Sequence, residues 1–422
     1  MAEFFNVLSP AEALARWLAE VTHRTAMVEA ELWAGMASGG VLAEDICSPE
    51  DLPAFRRATV DGYAVRAADT YGAGEALPAY LRVVGESHMG EQPAFAVGPG
   101  QAALIHTGAM IPAGADAVVM VEHTSPIATD EIEVLRRVAP GENVLQVGED
   151  VHRGEPVLPA GARLRPPEIG ALLALGLGTP ARPIHLRARP RVAIFSTGDE
   201  IVPPGAAPAP GQVRDINSFT ISALAAEAGA DVEPWGIIPD DPTALEMALR
   251  AALAPPAAAD LAVITAGSSV SARDMTAAVI NRLAAELGGP GVLVHGVAIK
   301  PGKPTILAVV DGRPVLGLPG NPVSAVVAFW LFGLPAIGHI LGARPPSRPR
   351  LRATLTANVP SAAGREDYIP VVLHENDDTI KADPIFGKSN LIFTLVRADG
   401  LARIPLDATG LRAGDAVDVY LF

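Results

Sequence analysis

RVAIFSTGDE at residues 191–200, VEPWGIIPDD at 232–241 and LAVITAGSSVSARD at 261–274 follow one pattern: a short apolar run that breaks into polar or glycine-rich residues. The apolar parts, 191–195, 232–238 and 261–265, read as short buried strands. Residues 216–230, Pro242–Leu253 and 274–287, which lie between and after them, carry helical spacing. Strands alternating with helices predict an α/β domain whose parallel sheet is covered on both faces. Such sheets bind ligands in the crevice beyond the carboxyl ends of their strands. The polar tails STGDE, PDD and TAGSSVSARD therefore belong at the rim of a cleft.

Downstream, residues 292–325 read VLVHGVAIKPGKPTILAVVDGRPVLGLPGNPVSA. The chain has only four lysines, Lys300, Lys303, Lys381 and Lys388, and two of them share one Lys-Pro-Gly-Lys-Pro turn. Two compact point charges on a stiff loop at the carboxyl edge of a sheet suit an anion, above all a phosphate. A solvated turn is the alternative. The turn lacks the spacing and the Ser/Thr of a nucleotide-triphosphate loop, and no GxGxxG follows a strand.

Upstream, residues 9–36 read as helical, with Ser9-Pro10 supplying a cap and an initial proline. Between 52 and 137, short apolar runs such as AYLRVVGES and DAVVMVEHT are broken by Gly and Pro, which predicts a β-rich module. A second helical segment begins at Pro166. The expected division is an interrupted N-terminal α/β domain (1–51 with 138–185), a β-rich insert (52–137), the parallel-sheet domain (186–344) and a small C-terminal β domain (345–422).

Length alone allows roughly three domains. The 32 basic and 47 acidic residues give a net charge of −15, which argues against non-specific nucleic-acid binding but not against a small anionic ligand. Cys47 is the only cysteine, so there is neither an internal disulfide nor a thiolate zinc cluster. The nine histidines are scattered without HExxH-type spacing. The first residues contain no continuous apolar core of a leader, and no apolar span is read as approaching ~18 residues. The expectation is a cytoplasmic protein with no membrane segment.

Several polar clusters are candidate sites. Ser196–Glu200 directly follows a strand, which aims its carboxylates at the cleft for metal or acid/base work; a helix cap is the other reading. Asp240-Asp241-Pro242 reads as an ordinary helix start as well as an acidic rim. In the loop from Thr265 to Asp274, amides and hydroxyls including Ser269 are placed to cradle a phosphate, with Asp274 toward a cation. Gly317–Ala325 opens a helix with a rigid turn. Around Asp61, Thr107 and Asp150 the residues read as polar loop positions.

Taken together and in this order, these motifs resemble the molybdopterin molybdenumtransferase (MoeA) family, which includes the E domain of gephyrin. The resemblance rests on DGYAVRAAD near 61, HTGAMIPAGADAVVM near 107, ENVLQVGED near 150, FSTGDE near 199, GIIPDDP near 240, SSVSARD near 274, AIKPGKP near 300 and GLPGNPVSA near 320. It implies a homodimeric enzyme that inserts molybdate into adenylylated molybdopterin with magnesium-dependent release of AMP. The parallel-sheet domain would hold the pterin nucleotide, and the partner subunit's β module would complete the cleft. The resemblance also implies supply of substrate by a molybdopterin adenylyltransferase. By position, Asp61, Thr107, Asp150, Glu200, Asp240 and Asp274 match catalytic residues, with Glu200 and Asp274 as metal ligands. Ser269, Lys300, Lys303, Pro319, Pro322, Ser324, Arg365 and Ser389 match substrate-binding positions. Ala266, Ser271, Ala272 and Gly296 depart from the family pattern. A paralogue using tungstate or another pterin nucleotide, a scaffolding protein on the same fold, and a generic phosphotransferase are the alternatives.

Overall fold

The computed structural model describes residues 7–32, 39–255, 258–266, 270–344, 349–376 and 379–422. Their contacts form two units. The larger takes in Met1–Glu44, Ala160–Ile169 and Gly178–Phe422; the smaller takes in Asp45–Pro159 and Gly170–Leu177.

The larger unit is built on a six-stranded sheet in the order Asp231–Ile238, Arg191–Thr197, Leu261–Ala266, Arg313–Pro319, Ile306–Val310, Gly291–His295. The first four strands are parallel, as the alternating pattern predicts. Ile306–Val310 runs antiparallel to both its neighbours, an addition that the pattern did not predict. Its cause is local: Asp311 at φ 50° and Gly312 at φ 70° make a two-residue turn whose backbone twist matches a hairpin. Side chains alternate between two cores. Val192, Ile194 and Val263 face the helix Asn217–Glu227 and the helical run from Pro322. Ala193, Phe195 and Ile264 face the helices Pro242–Leu253 and Val270–Leu287.

The N-terminal helix is shorter than expected. It begins at Pro10 with a capping box between Ser9 and Glu12 but ends at Glu20. The amides of Thr22 and His23 both donate to the Gly312 carbonyl, so the backbone leaves the helical ladder there. Met27–Ala30 then forms a strand against Ile184–Arg187. Trp17 is fully buried and donates to the Ala308 carbonyl at 2.7 Å, which ties this helix to the sheet of the larger unit. The contacts group Met1–Glu44 with the sheet of the larger unit.

Pro322–Ile340 corrects another expectation. Within its 19 residues an 18-residue stretch has a mean hydropathy of 1.8, long and apolar enough to cross a membrane, yet 78% of that stretch is buried inside the protein. The run passes through a π-turn at Phe329–Gly333 and contributes Phe329, Phe332 and Ile337 to the core, so it is an interior helix.

In the C-terminal part, Glu366–Asn376 pairs with both Thr379–Pro384 and Gly400–Ile404, while Arg350–Leu355 and Ala416–Leu421 complete a closed five-strand ring. Ile299–Lys300, the start of the lysine turn, adds in parallel to Glu366–Asp367 of that ring.

The smaller unit carries its own six-stranded sheet: Ala117–Met120, Gly62–Val65, Gln101–Ile105, Ala79–Ser87, Glu131–Val134, Thr124–Ala128. Ala64, Ala103 and Val118 pack on one face, and Val65, Ala102 and Val119 on the other. Gly62 passes so close to the next strand that a Cβ would lie 1.9 Å from the Val119 carbonyl oxygen, so only glycine fits beside Asp61.

Candidate functional site

The parallel strands of the larger unit end together, since Ser196 pairs with Thr265 and Ala266 with Pro319. Two cavities open at this rim. One has a volume of about 810 Å³ and the other about 700 Å³, and Gly320 and Asn321 border both. The turn Gly317–Ala325 is thus a ridge between them. Asn217 Nδ2 fixes it by donating to the Gly320 carbonyl at 2.8 Å, and Asn321 Nδ2 by donating to Ser389 Oγ at 3.0 Å.

The larger cavity is cationic. Lys300, Lys303, Lys388 and Arg365 line it, with Pro319, Ser324 and Ser389, and no Asp or Glu is among its described lining residues. In a chain of net charge −15, three of the four lysines share one cavity. Asp367 lies behind this wall with its side chain fully buried. It accepts from Arg365 Nε at 2.9 Å, and its Oδ2 lies 3.6 Å from Lys300 Nζ without a hydrogen bond. One carboxylate thereby fixes two cations that still face the cavity. Tyr368, which also lines it, donates to Glu366 at 2.7 Å, and burial raises its phenol above the ordinary value. Gly302 takes φ +111° at the tip of the lysine turn, where a side chain would press within 2.9 Å of Ile299.

The second cavity is lined by Thr197, Glu200, Asp215, Asn217, Thr265 and Pro322, among others. Asp215 is buried and accepts from Ser196 Oγ at 2.8 Å and Ser218 Oγ at 2.6 Å. Thr197 Oγ1 and Asn217 Oδ1 are buried with no hydrogen-bond partner among the described residues. Unpaired buried polar atoms on a cavity wall favour a polar occupant. Beside this cavity Asp240 donates its amide to Asp199 at 3.2 Å. Its carboxyl is raised above the ordinary value, first by partial burial and then by the charges of Glu200 and Asp199. Three carboxylates that repel one another fit a hard cation.

In the smaller unit Asp61 Oδ1 accepts from the Thr107 amide at 2.7 Å and from its hydroxyl at 3.1 Å. These donors, the amide foremost, hold the Asp61 carboxyl below its ordinary value. Asp150 is exposed on a neighbouring loop, and its amide donates to the Leu52 carbonyl. That loop follows Val144–Leu145, which pairs with Arg57–Ala58 just before Asp61.

The structure therefore groups the expected residues into three sets: Lys300, Lys303, Pro319, Ser324, Arg365 and Ser389; Glu200 with Pro322 and, through its charge, Asp240; and Asp61 with Thr107. Asp274 is exposed on the helix Val270–Leu287 and is not among the described residues lining either cavity. Ser269 lies outside the described residues, as do the side chains of Ala266, Ser271 and Ala272. Gly296 takes φ +99°, a conformation that favours glycine over a basic residue. Sequence reasoning missed Lys388, which the scarcity of lysine could have flagged. It also missed Asp215, Asn217 and Asp367, whose one-dimensional surroundings carry no signal.

A parallel-sheet domain with a cationic and an acidic cavity at its carboxyl edge defines an α/β enzyme that handles a phosphorylated or oxyanionic ligand. Family models match nearly the whole chain: "MoeA N-terminal region (domain I and II)" over residues 8–176, "Probable molybdopterin binding domain" over 193–339 and "MoeA C-terminal region (domain IV)" over 352–422. The molybdopterin molybdenumtransferase of Nostoc sp. (strain PCC 7120) is 36% identical over 92% of this chain and 87% of its own. Molybdopterin molybdenumtransferase 2 of Mycobacterium tuberculosis is 34% identical over 91% and 93%. The crystal structure of the molybdopterin biosynthesis moeA protein from Pyrococcus horikoshii OT3 superposes with a TM-score of 0.83 at 32% identity, over 99% of this chain and 100% of that one. This chain belongs to the MoeA family of molybdopterin molybdenumtransferases.

Proposed function

We propose that this enzyme inserts molybdate into adenylylated molybdopterin and releases AMP, completing the molybdenum cofactor. The observation that carries the reading is the pairing of a cavity lined by four cations with an acidic one across Gly320–Asn321. Lys300, Lys303, Lys388 and Arg365 would hold the phosphates through charge-assisted hydrogen bonds. The unpaired Thr197 hydroxyl and Asn217 carbonyl would meet polar edges of the pterin. Glu200, with Asp199 and Asp240, offers the hard oxygens that magnesium prefers, and the raised Asp240 carboxyl marks like-charge crowding that a divalent cation relieves. Magnesium bound there would supply charge neutralisation at a phosphoryl oxygen. Asp274 enters as a second metal ligand through the family resemblance, and Ser269 as a phosphate contact by the same route. Asp61, held ionised by Thr107, and Asp150 are proposed catalytic groups of the same reaction.

We further propose a cytoplasmic homodimer supplied by a molybdopterin adenylyltransferase; sedimentation at working concentration and co-purification test these two points. The deciding experiment mixes the protein with adenylylated molybdopterin, magnesium and either molybdate or tungstate, and follows AMP. Molybdate-dependent release is expected. Release with tungstate alone would identify the paralogue reading, and none with either oxyanion would overturn the proposal.

A further inference from the structure

Glu86, His88 and His106 converge on the sheet of the smaller unit, apart from every residue assigned above. Glu86 and His88 are two residues apart at the end of the strand Ala79–Ser87, so they project to the same face. That strand runs parallel to Gln101–Ile105, with Ser87 opposite Ile105, which brings the next residue, His106, beside His88. His106 Nε2 lies 2.7 Å from Glu86 Oε1, and His88 Nδ1 lies 3.5 Å from the same oxygen. The two imidazoles are nearly parallel, at 18°, with centroids 6.4 Å apart. One donor atom from each of the three residues falls within 4.8 Å of the other two. The strand end is anchored from below by Ser87, which is buried and donates to the Met110 carbonyl at 2.7 Å.

We propose that Glu86, His88 and His106 form a binding site for a late first-row divalent metal ion, with zinc as its representative. Two imidazoles and one carboxylate are a donor set of borderline softness that selects such ions over magnesium. Bonds of about 2.0–2.1 Å in a tetrahedron set donor atoms roughly 3.3 Å apart, between the 2.7 and 3.5 Å at which the two imidazoles already approach Glu86. The side chains are exposed or half-buried, so reaching that geometry needs only small rotations. Three protein ligands leave a fourth position for water. The two histidines are 18 positions apart in sequence, which explains why no ligand spacing marks them. His106 immediately precedes Thr107, whose amide and hydroxyl bind Asp61, so the ion would brace the turn that orients this pair. The site contains none of the residues assigned to the proposed reaction or to its magnesium.

The test uses the full chain, stripped of metal, titrated with zinc by calorimetry in millimolar magnesium. One tightly bound zinc per chain is expected. His88→Ala and His106→Ala should each weaken it by about 10- to 100-fold or more, and Glu86→Gln by less. Cobalt(II) should give visible ligand-field bands that His88→Ala abolishes. Affinity should fall on acidification, because protons compete with the metal for the imidazole nitrogens. His88 is exposed at a strand end, so its alanine variant retains the fold even if His106→Ala does not. Absence of one-to-one binding, or equally tight binding by His88→Ala, overturns the assignment.

Discussion

Removing Lys300 should harm anion binding twice over. Its side chain, 54% exposed, lines the cationic cavity, and 3.6 Å from its ammonium lies the fully buried carboxylate of Asp367. A lost charge-assisted hydrogen bond to a phosphate costs about 1.5–3 kcal/mol, roughly 10- to 150-fold in Kd. The second effect is the unmasking of Asp367. At 3.6 Å, unit charges interact by about 1 kcal/mol in water and between 4 and 5 kcal/mol at an effective dielectric near 20. Half-exposure of the lysine puts its own share in the lower part of that range. With Lys300 gone, the Oδ2 atom of Asp367, which has no hydrogen bond, adds repulsion toward the same anion. Lys300→Ala should therefore cost more than Lys303→Ala, because Lys303 pairs with no carboxylate among the described residues. Lys300→Ala combined with Asp367→Asn should recover part of the loss, since the asparagine still accepts from Arg365 and carries no charge. Calorimetry with adenylylated molybdopterin reads all three. Equal losses for the two lysines, with no recovery in the double variant, would refute the argument.

Asp240→Asn should raise the melting temperature of the magnesium-free protein at neutral pH. A carboxyl whose folded pKa lies above its ordinary value of 3.8 costs stability once ionised, so the gain should vanish as pH falls below the carboxylate range. The same variant should lose magnesium-dependent stabilisation and AMP release, and a lower melting temperature at neutral pH would contradict this. Thr107→Val removes one of two donors to Asp61, so the Asp61 carboxyl should titrate closer to its ordinary value in a carbon-13 titration; an unchanged midpoint would dissolve the pair. Asn321→Ala breaks the bond to Ser389 in the ridge, at a cost of about 0.5–1.5 kcal/mol. It should raise KM with little change in melting temperature, and unaltered kinetics would show that the ridge needs no such brace.

Periodicity and punctuation, which are local, were enough for the strands at 191, 231 and 261, for the helix Pro242–Leu253, and for the resemblance to one family. They also placed Lys300, Lys303 and Glu200 at a cleft, because a parallel sheet presents its carboxyl edge whatever the remaining details. The N-terminal helix was read too long because nothing within 21–36 shows that Gly312, nearly 300 positions away, captures the amides of Thr22 and His23. The Asp311-Gly312 hairpin was legible and overlooked. The amino-acid sequence by itself thus determined which elements form and which family they spell. Only the tertiary structure decided that Asp367 backs Lys300, that Lys388 joins the cavity of Lys300 and Lys303, and that His88 meets His106. Those pairings depend on strand order and register, and contact between distant residues leaves no period in the chain.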